Sequence, residues 1–158
     1  MRVTLRPLRR EDAAAHRAFI AGLGSEDLRF RFGDRVRAMS QAELARIARV
    51  DPERERTIVA TLASDDADVA IVGEVRILDD PDGGSAEFAI AVRPDAQGRG
   101  LGCALLERAI TDGRARGLRV LYGLVDPANR GMLALAGRLG FDIDHVPGGS
   151  TVVVTRQL

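Results

Sequence analysis

Apolar and polar positions change period several times along the chain. A short strand is predicted over Thr4 to Leu8, and Arg10 to Ala21 then places apolar residues at helical spacing up to Gly22. Shorter helical patterns cover Asp27 to Phe32 and Gln41 to Val50. The second opens on Ser40-Gln41-Ala42-Glu43, a capping box in which Ser40 and Glu43 satisfy orphan backbone N–H groups reciprocally. The middle turns to β-rich runs. Thr57 to Ala63 and Val69 to Leu78 read as strands joined by the polar turn Ser64 to Asp68. After the turn cluster Asp80-Pro81-Asp82-Gly83-Gly84, a further strand covers Ala86 to Val92. Leu101 to Arg116 returns to helical period, with Leu101, Leu105, Leu106, Ala109 and Ile110 on one face. A strand over Val120 to Val125 and a helix over Asn129 to Leu139 follow. The chain closes on strands Ile143 to Val146 and Thr151 to Arg156 around Pro147-Gly148-Gly149. This order predicts one α/β domain over residues 1–158 with mixed strand directions.

Composition narrows the function classes. The chain has 158 residues, 46% of them hydrophobic, which is enough to fold without disulfides or a structural metal. No apolar run approaches the roughly 20 residues of a spanning helix, and the first residues lack a signal-peptide core, so a cytoplasmic protein without membrane contact is expected. Twenty-three basic residues balance twenty-three acidic ones, and no bulk field favours nucleic acid. Lysine is absent, which removes Schiff-base chemistry and the P-loop lysine. One Cys and two His exclude a disulfide framework and an all-Cys/His zinc site, and no metal is expected.

The most informative stretch runs from Val92 to Ala104 and contains Gly98, Gly100 and Gly102. Glycines at alternate positions let a backbone approach a ligand closely and turn successive N–H groups inward. The positive end of the following helix adds to this, so the turn suits a pyrophosphate. From residues alone, a glycine-rich corner that binds nothing fits as well. The dinucleotide fingerprint fails in both registers, because its third position is Cys103 or Leu105.

Gln97-Gly98-Arg99-Gly100-Leu101-Gly102 resembles the Q/R-x-x-G-x-G/A acyl-CoA pyrophosphate loop of GNAT N-acetyltransferases. A second matching block comprises the strand Leu121 to Val125, then Asn129, then a helix ending Arg138-Leu139-Gly140-Phe141. The two blocks stand in the family's order and spacing. A finer resemblance, to the acetyltransferase domain of bacterial protein lysine acetyltransferases, lies in Leu28 to Phe32, Ser40 to Arg46, Val50-Asp51 and Ala86 to Ala89. The resemblance implies a GNAT fold, a mixed central sheet of about six or seven strands flanked by helices. It also implies acetyl-CoA as cosubstrate and direct transfer to a primary amine. The acceptor it favours is a protein lysine side chain, with a small amine close behind. A non-catalytic acyl-CoA-binding module is the rival from another class, and a homodimer is left open.

Amine acetylation needs a base. A lysine amine with a pKa of about 10.4 is only about 0.04% neutral at pH 7, a deficit of roughly 4.6 kcal/mol. The resemblance places the family's base at Glu87; Glu74, on the preceding strand, and Asp126, at the end of the next, are the backup carboxylates. Alternation sets Glu87, Ala89 and Ala91 on one strand face and Phe88, Ile90 and Val92 on the other. By pattern alone an ordinary solvent-facing glutamate is the favoured reading, and the family match is what raises the catalytic one. Carried over by position, the backbone of Ile90, Ala91 and Val92 bonds the pantetheine arm as an added strand would. Gln97, Gly98, Arg99, Gly100, Leu101, Gly102 and Cys103 hold the pyrophosphate, and Asn129 contacts the CoA arm. Many relatives carry a Tyr seven residues after that Asn to protonate the leaving thiolate; here Ala136 takes its place. Tyr122, Cys103, His16 and His145 are expected to be packing or surface residues. Arg29 and Arg31, alternating with Phe30 and Phe32, fit either an acceptor cleft or a core-and-solvent strip.

Overall fold

Seven strands share one sheet in the order β1-β2-β3-β4-β5-β7-β6. In this computed structural model residues 2–23, 54–63 and 69–158 are described. The helical patterns at Asp27 to Phe32 and Gln41 to Val50, the Ser40–Glu43 box and the Arg29/Arg31 strip lie outside them. The strands are β1 (Val3–Pro7), β2 (Glu55–Ala63), β3 (Val69–Asp79), β4 (Ser85–Val92), β5 (Val120–Val125), β6 (Asp142–His145) and β7 (Val152–Gln157). The helices are α1 (Ala13–Ala21), α2 (Leu101–Ala115) and α3 (Arg130–Arg138). Every neighbouring pair is antiparallel except β4 and β5, which run parallel.

The elements follow the hydrophobic pattern, and their ends follow local chemistry. The expected first helix begins as a 3-10 turn at Arg10–Asp12 and becomes α-helical only at Ala13. The Asp12 carboxylate causes this, accepting from the Arg9 N–H at 2.7 Å while both Arg6 terminal nitrogens donate to it. Asn129 caps α3 rather than joining it, its side chain accepting from the Met132 N–H. The expected strand at Ile143 to Val146 sits one residue earlier, because Val146 is drawn into the turn that Gly149 closes on its carbonyl. The last strand is displaced one residue the other way, since Gln157 still pairs with Val120.

Both faces of the sheet are used, and one carries the larger core. One packs Val75, Ile77, Phe88, Leu121, Val152 and Val154 against Leu105 and Leu106 of α2 and Leu135 of α3. The other buries Val59, Ile71 and Ala91 against Phe19 of α1 and Leu23. A bulge in β3 leaves Val72 without a register partner between Gly73, opposite Ala60, and Ile71, opposite Thr61, which keeps apolar residues on the correct face at either side of it.

The parallel pair is short. Ser85 to Phe88 align with Val120 to Gly123, and beyond these residues β4 and β5 have no further pairing. At the fork the Phe88 ring packs edge-on against Phe141, 5.5 Å between centroids. This opening positions the site.

Candidate active site

A cavity of about 350 Å³ occupies the fork. Ile90, Ala91 and Val92 of β4 form one wall, and Gln97, Gly98, Gly100, Leu101 and Gly102 of the glycine turn form the second. Asn129 completes it from the cap of α3. All of these belong to the motifs that the sequence displays. Ala96, Gly131, Met132 and Leu135, which no motif marks, also line the cavity. Small and apolar lining residues carry no chemical signature, so only their proximity reveals them. Two expected members are not in the lining. Arg99 is exposed, and Cys103 packs partly buried against the core cluster beneath α2.

The turn is shaped for close approach. Gly98 and Gly100 have φ of +75° and +83°, the left-handed region that side-chain-bearing residues avoid, and a Cβ at either would meet nothing within 4 Å. Open space therefore lies where side chains would otherwise stand. Gly100 is also the N-cap of α2, so that helix directs its unsatisfied N–H groups and positive dipole end toward the turn. The Gln97 side chain donates to the Val92 carbonyl at 2.9 Å and ties the turn to the end of β4. The turn thus sets open space beside backbone N–H groups at the mouth of the cavity.

Glu87 lies on the sheet face opposite Phe88, as alternation predicted, and three residues before the cavity wall begins. That separation is about 10 Å along a strand. Glu87 is half-buried, between Leu78 of β3 and Tyr122 of β5 in the strand register. Burial pushes its carboxyl above the ordinary glutamate range, and the nearby Asp80 carboxylate adds to the rise. The Tyr122 hydroxyl donates to Asp80, 3.0 Å from each carboxylate oxygen. Burial first and that hydrogen bond second push the phenol up to about 12. Tyr122 is thus a polar member of this face rather than simple packing.

The other carboxylates are differently engaged. Glu74 is fully buried under α1, with its Oε2 2.6 Å from His16 Nε2. Asp126 accepts from the Ala128 N–H at 2.8 Å and shapes the turn before α3. His145 is exposed on the edge strand β6. Among the described residues no group of three or more His, Cys, Asp and Glu side chains is arranged for a metal ion, and no helix is long and apolar enough to cross a membrane.

A mixed sheet forked between two parallel strands, with a glycine turn leading into a helix at the fork, defines an acyl-CoA N-acyltransferase architecture. The chain belongs to the acetyltransferase (GNAT) family, whose model matches residues 22–141. An acetyltransferase of Pseudomonas aeruginosa is 34% identical over 154 residues, spanning 98% of this chain and 82% of its own length. The GNAT domain of PAT from S. lividans has a TM-score of 0.82 at 24% identity, covering 99% of this chain and 90% of that one. Spermidine N-acetyltransferase from Vibrio cholerae, solved with CoA and spermine, has a TM-score of 0.70 at 22% identity, covering 99% and 94% respectively. The protein is an acyl-CoA-dependent N-acetyltransferase. At these identities the two solved structures speak to architecture alone, and the name of the Pseudomonas relative specifies no acceptor.

Proposed function

We propose that this enzyme transfers the acetyl group of acetyl-CoA to the side-chain amine of a protein lysine, with Glu87 as the base. The observation that carries the reading is the cavity at the β4–β5 fork, lined by the glycine turn, with a half-buried carboxylate on the strand that leads into it. In this reading Gly98 to Gly102 and the N-terminus of α2 receive the pyrophosphate, and Asn129 contacts the CoA arm. The unpaired margin of β4 at Ile90 to Val92 bonds the pantetheine, and a backbone N–H there polarises the thioester carbonyl.

The acceptor enters as an ammonium over Glu87. Glu87 takes one proton, directly or through a water, and the freed nitrogen lone pair attacks the thioester carbon. The C–N bond forms, the C–S bond breaks and the electron pair leaves on the CoA sulfur. Of the two protons still on nitrogen, one is released to that thiolate or to solvent and the other stays on the amide. Ala136 supplies no acid for this last step, and a thiolate leaves adequately without one.

The lysine acceptor rests on the resemblance of Ala86 to Ala89 and of the segments before Asp51 to protein lysine acetyltransferases. A small amine is the alternative acceptor, the one that the family resemblance places close behind. The test is acetyl transfer from labelled acetyl-CoA to a panel of lysine peptides, polyamines and amino acids, run with the wild type and Glu87→Gln. Transfer to peptides that Glu87→Gln abolishes supports the whole reading. Transfer to small amines alone replaces the acceptor, and wild-type rates in Glu87→Gln remove the base. Acetyl-CoA binding with no transfer to any acceptor favours a sensor module.

A further inference from the structure

β3 and β5 flank β4, so they stand about 9.6 Å apart, two inter-strand spacings. Tyr122 on β5 nevertheless reaches Asp80 at the end of β3, 3.0 Å from both carboxylate oxygens. Its phenol therefore crosses over β4. It does so on the face that carries Glu87, because Leu121 and Val125, its alternate neighbours, belong to the core on the opposite side. Tyr122 and Glu87 are register partners. The phenol thus bridges over β4 beside Glu87 and fixes a second carboxylate near it. Leu78, 39% exposed, is the other register partner of Glu87 and offers an apolar surface there.

Resting on the assignment of Glu87 as base, we propose that Asp80, held in place by Tyr122, is a positioning residue that strengthens Glu87 as a proton acceptor and makes the site selective for an ammonium on an aliphatic stem. Two carboxylates on one partly desolvated face attract a cation more strongly than one does. The Asp80 charge also opposes ionisation of Glu87 and so raises its affinity for the proton it must take. That affinity matters because a stronger base lowers the barrier to deprotonating an amine. Tyr122 contributes as a fixed donor that stays protonated throughout the physiological range. The stem of the acceptor would lie along Leu78 and Ala89. No proton or bond changes place at Asp80 or Tyr122 themselves.

Other charged groups surround Glu87, and each has its own place. From β3, Arg76 stands one register step away and is bound to Glu55 of β2. Asp82 lies in the turn after β3, accepting from the Gly84 and Ser85 N–H groups. From β5 the titratable group is Tyr122. Asp142 of β6 follows on the same row beyond Thr155 of β7. Among these, Asp80 is the charge that adds to the rise at Glu87.

The experiment is a pH–rate profile of kcat/KM for acetyl transfer to an alkylamine such as cadaverine, in wild type, Asp80→Asn, Tyr122→Phe and Glu87→Gln. Acetyl-CoA affinity, measured by calorimetry on each variant, serves as the check that the fork is intact. Asp80→Asn is expected to move the acid limb to lower pH by about half a unit to one unit and to raise the amine KM about tenfold. Tyr122→Phe leaves Asp80 charged but unheld, and a smaller displacement in the same direction is expected. An acid limb and amine KM unchanged in both variants overturn the positioning role while leaving Glu87 as base. Full activity in Glu87→Gln overturns the underlying assignment instead. If Asp80→Asn fails the calorimetric check, the decision rests on Tyr122→Phe, whose ring keeps the packing over β4 and loses only the hydrogen bond to Asp80.

Discussion

The Phe88 ring takes the space that a side chain at residue 123 would need: a Cβ added to Gly123 would stand 2.7 Å from the ring. These two residues form the last register pair before β4 and β5 part. Phe88 also carries the edge-on contact to Phe141, so the apex of the fork is a packed aromatic joint. Gly123→Ala is expected to overpack this joint at a cost of about 2 kcal/mol. In a domain of this size that lowers Tm by about 4–8 °C. Calorimetric unfolding checks the stability, and an acetyl-CoA titration should show weaker binding as the fork shifts.

Gly100 separates backbone strain from charge. Gly100→Ala meets no steric neighbour but forces a side-chain-bearing residue to φ +83°, at about 1–2 kcal/mol. Gly100→Asp adds a carboxylate at the N-terminus of α2, where the pyrophosphate is proposed to lie. Calorimetric titration should show acetyl-CoA affinity reduced several-fold in the first variant and more than a hundredfold in the second. Wild-type affinity in Gly100→Asp would remove the pyrophosphate from this turn.

The tie between Gln97 and the Val92 carbonyl makes a smaller demand. Gln97→Ala frees the turn from β4 without altering its glycines, so the expected loss is preorganisation. The KM for acetyl-CoA should rise about five-fold with kcat within a factor of two. A fall in kcat at unchanged KM would show that Gln97 acts nearer the chemistry.

The parts legible in the sequence were those governed by period and by the chain's own neighbours. The apolar face of α2 and the alternation of β4 depend on residues a few positions apart, and both stand as the pattern implied. Element ends were less legible, because they are decided by single contacts. Asp12 tightens the start of the first helix, and Asn129 caps α3 instead of joining it. Long-range contacts left no trace in the pattern. His16 meets Glu74 across 58 positions and Tyr122 meets Asp80 across 42, each pair joined only when the sheet forms. For the same reason the glycine turn could be read, while Cys103 and Arg99 within that stretch do not line the cavity.

Asp12 should leave a signature in acid. Its carboxylate is nearly buried and held below the ordinary range, chiefly by the Arg6 hydrogen bonds and also by the Arg9 N–H. A depressed folded-state pKa contributes stability above the unfolded value of about 3.9, and that contribution disappears as pH falls through the lower folded value. Asp12→Asn keeps the size but loses the ion pair, and it should cost about 2 kcal/mol at pH 7. The difference in Tm between variant and wild type should narrow as pH drops below about 4. A difference that stays constant from pH 7 to pH 3 would assign the effect to packing.

Glu87 should show the opposite sign. Its carboxyl is raised, first by burial and then by Asp80, so the folded protein binds that proton more tightly than the unfolded chain. Stability is therefore lost as pH climbs from the unfolded value of about 4.3 through the folded one, and the deficit persists at pH 7. Glu87→Gln removes the buried charge and should raise Tm at pH 7, an advantage that shrinks as pH falls toward 4. The same substitution is expected to reduce kcat/KM by about 10²–10⁴-fold, the usual worth of a positioned base. Acetyl-CoA affinity should stay within about twofold, since Glu87 lies outside the cavity lining. A variant that is both more stable and inactive identifies a charge retained for chemistry at the expense of the fold. A variant of unchanged Tm and unchanged rate would make Glu87 an ordinary surface glutamate.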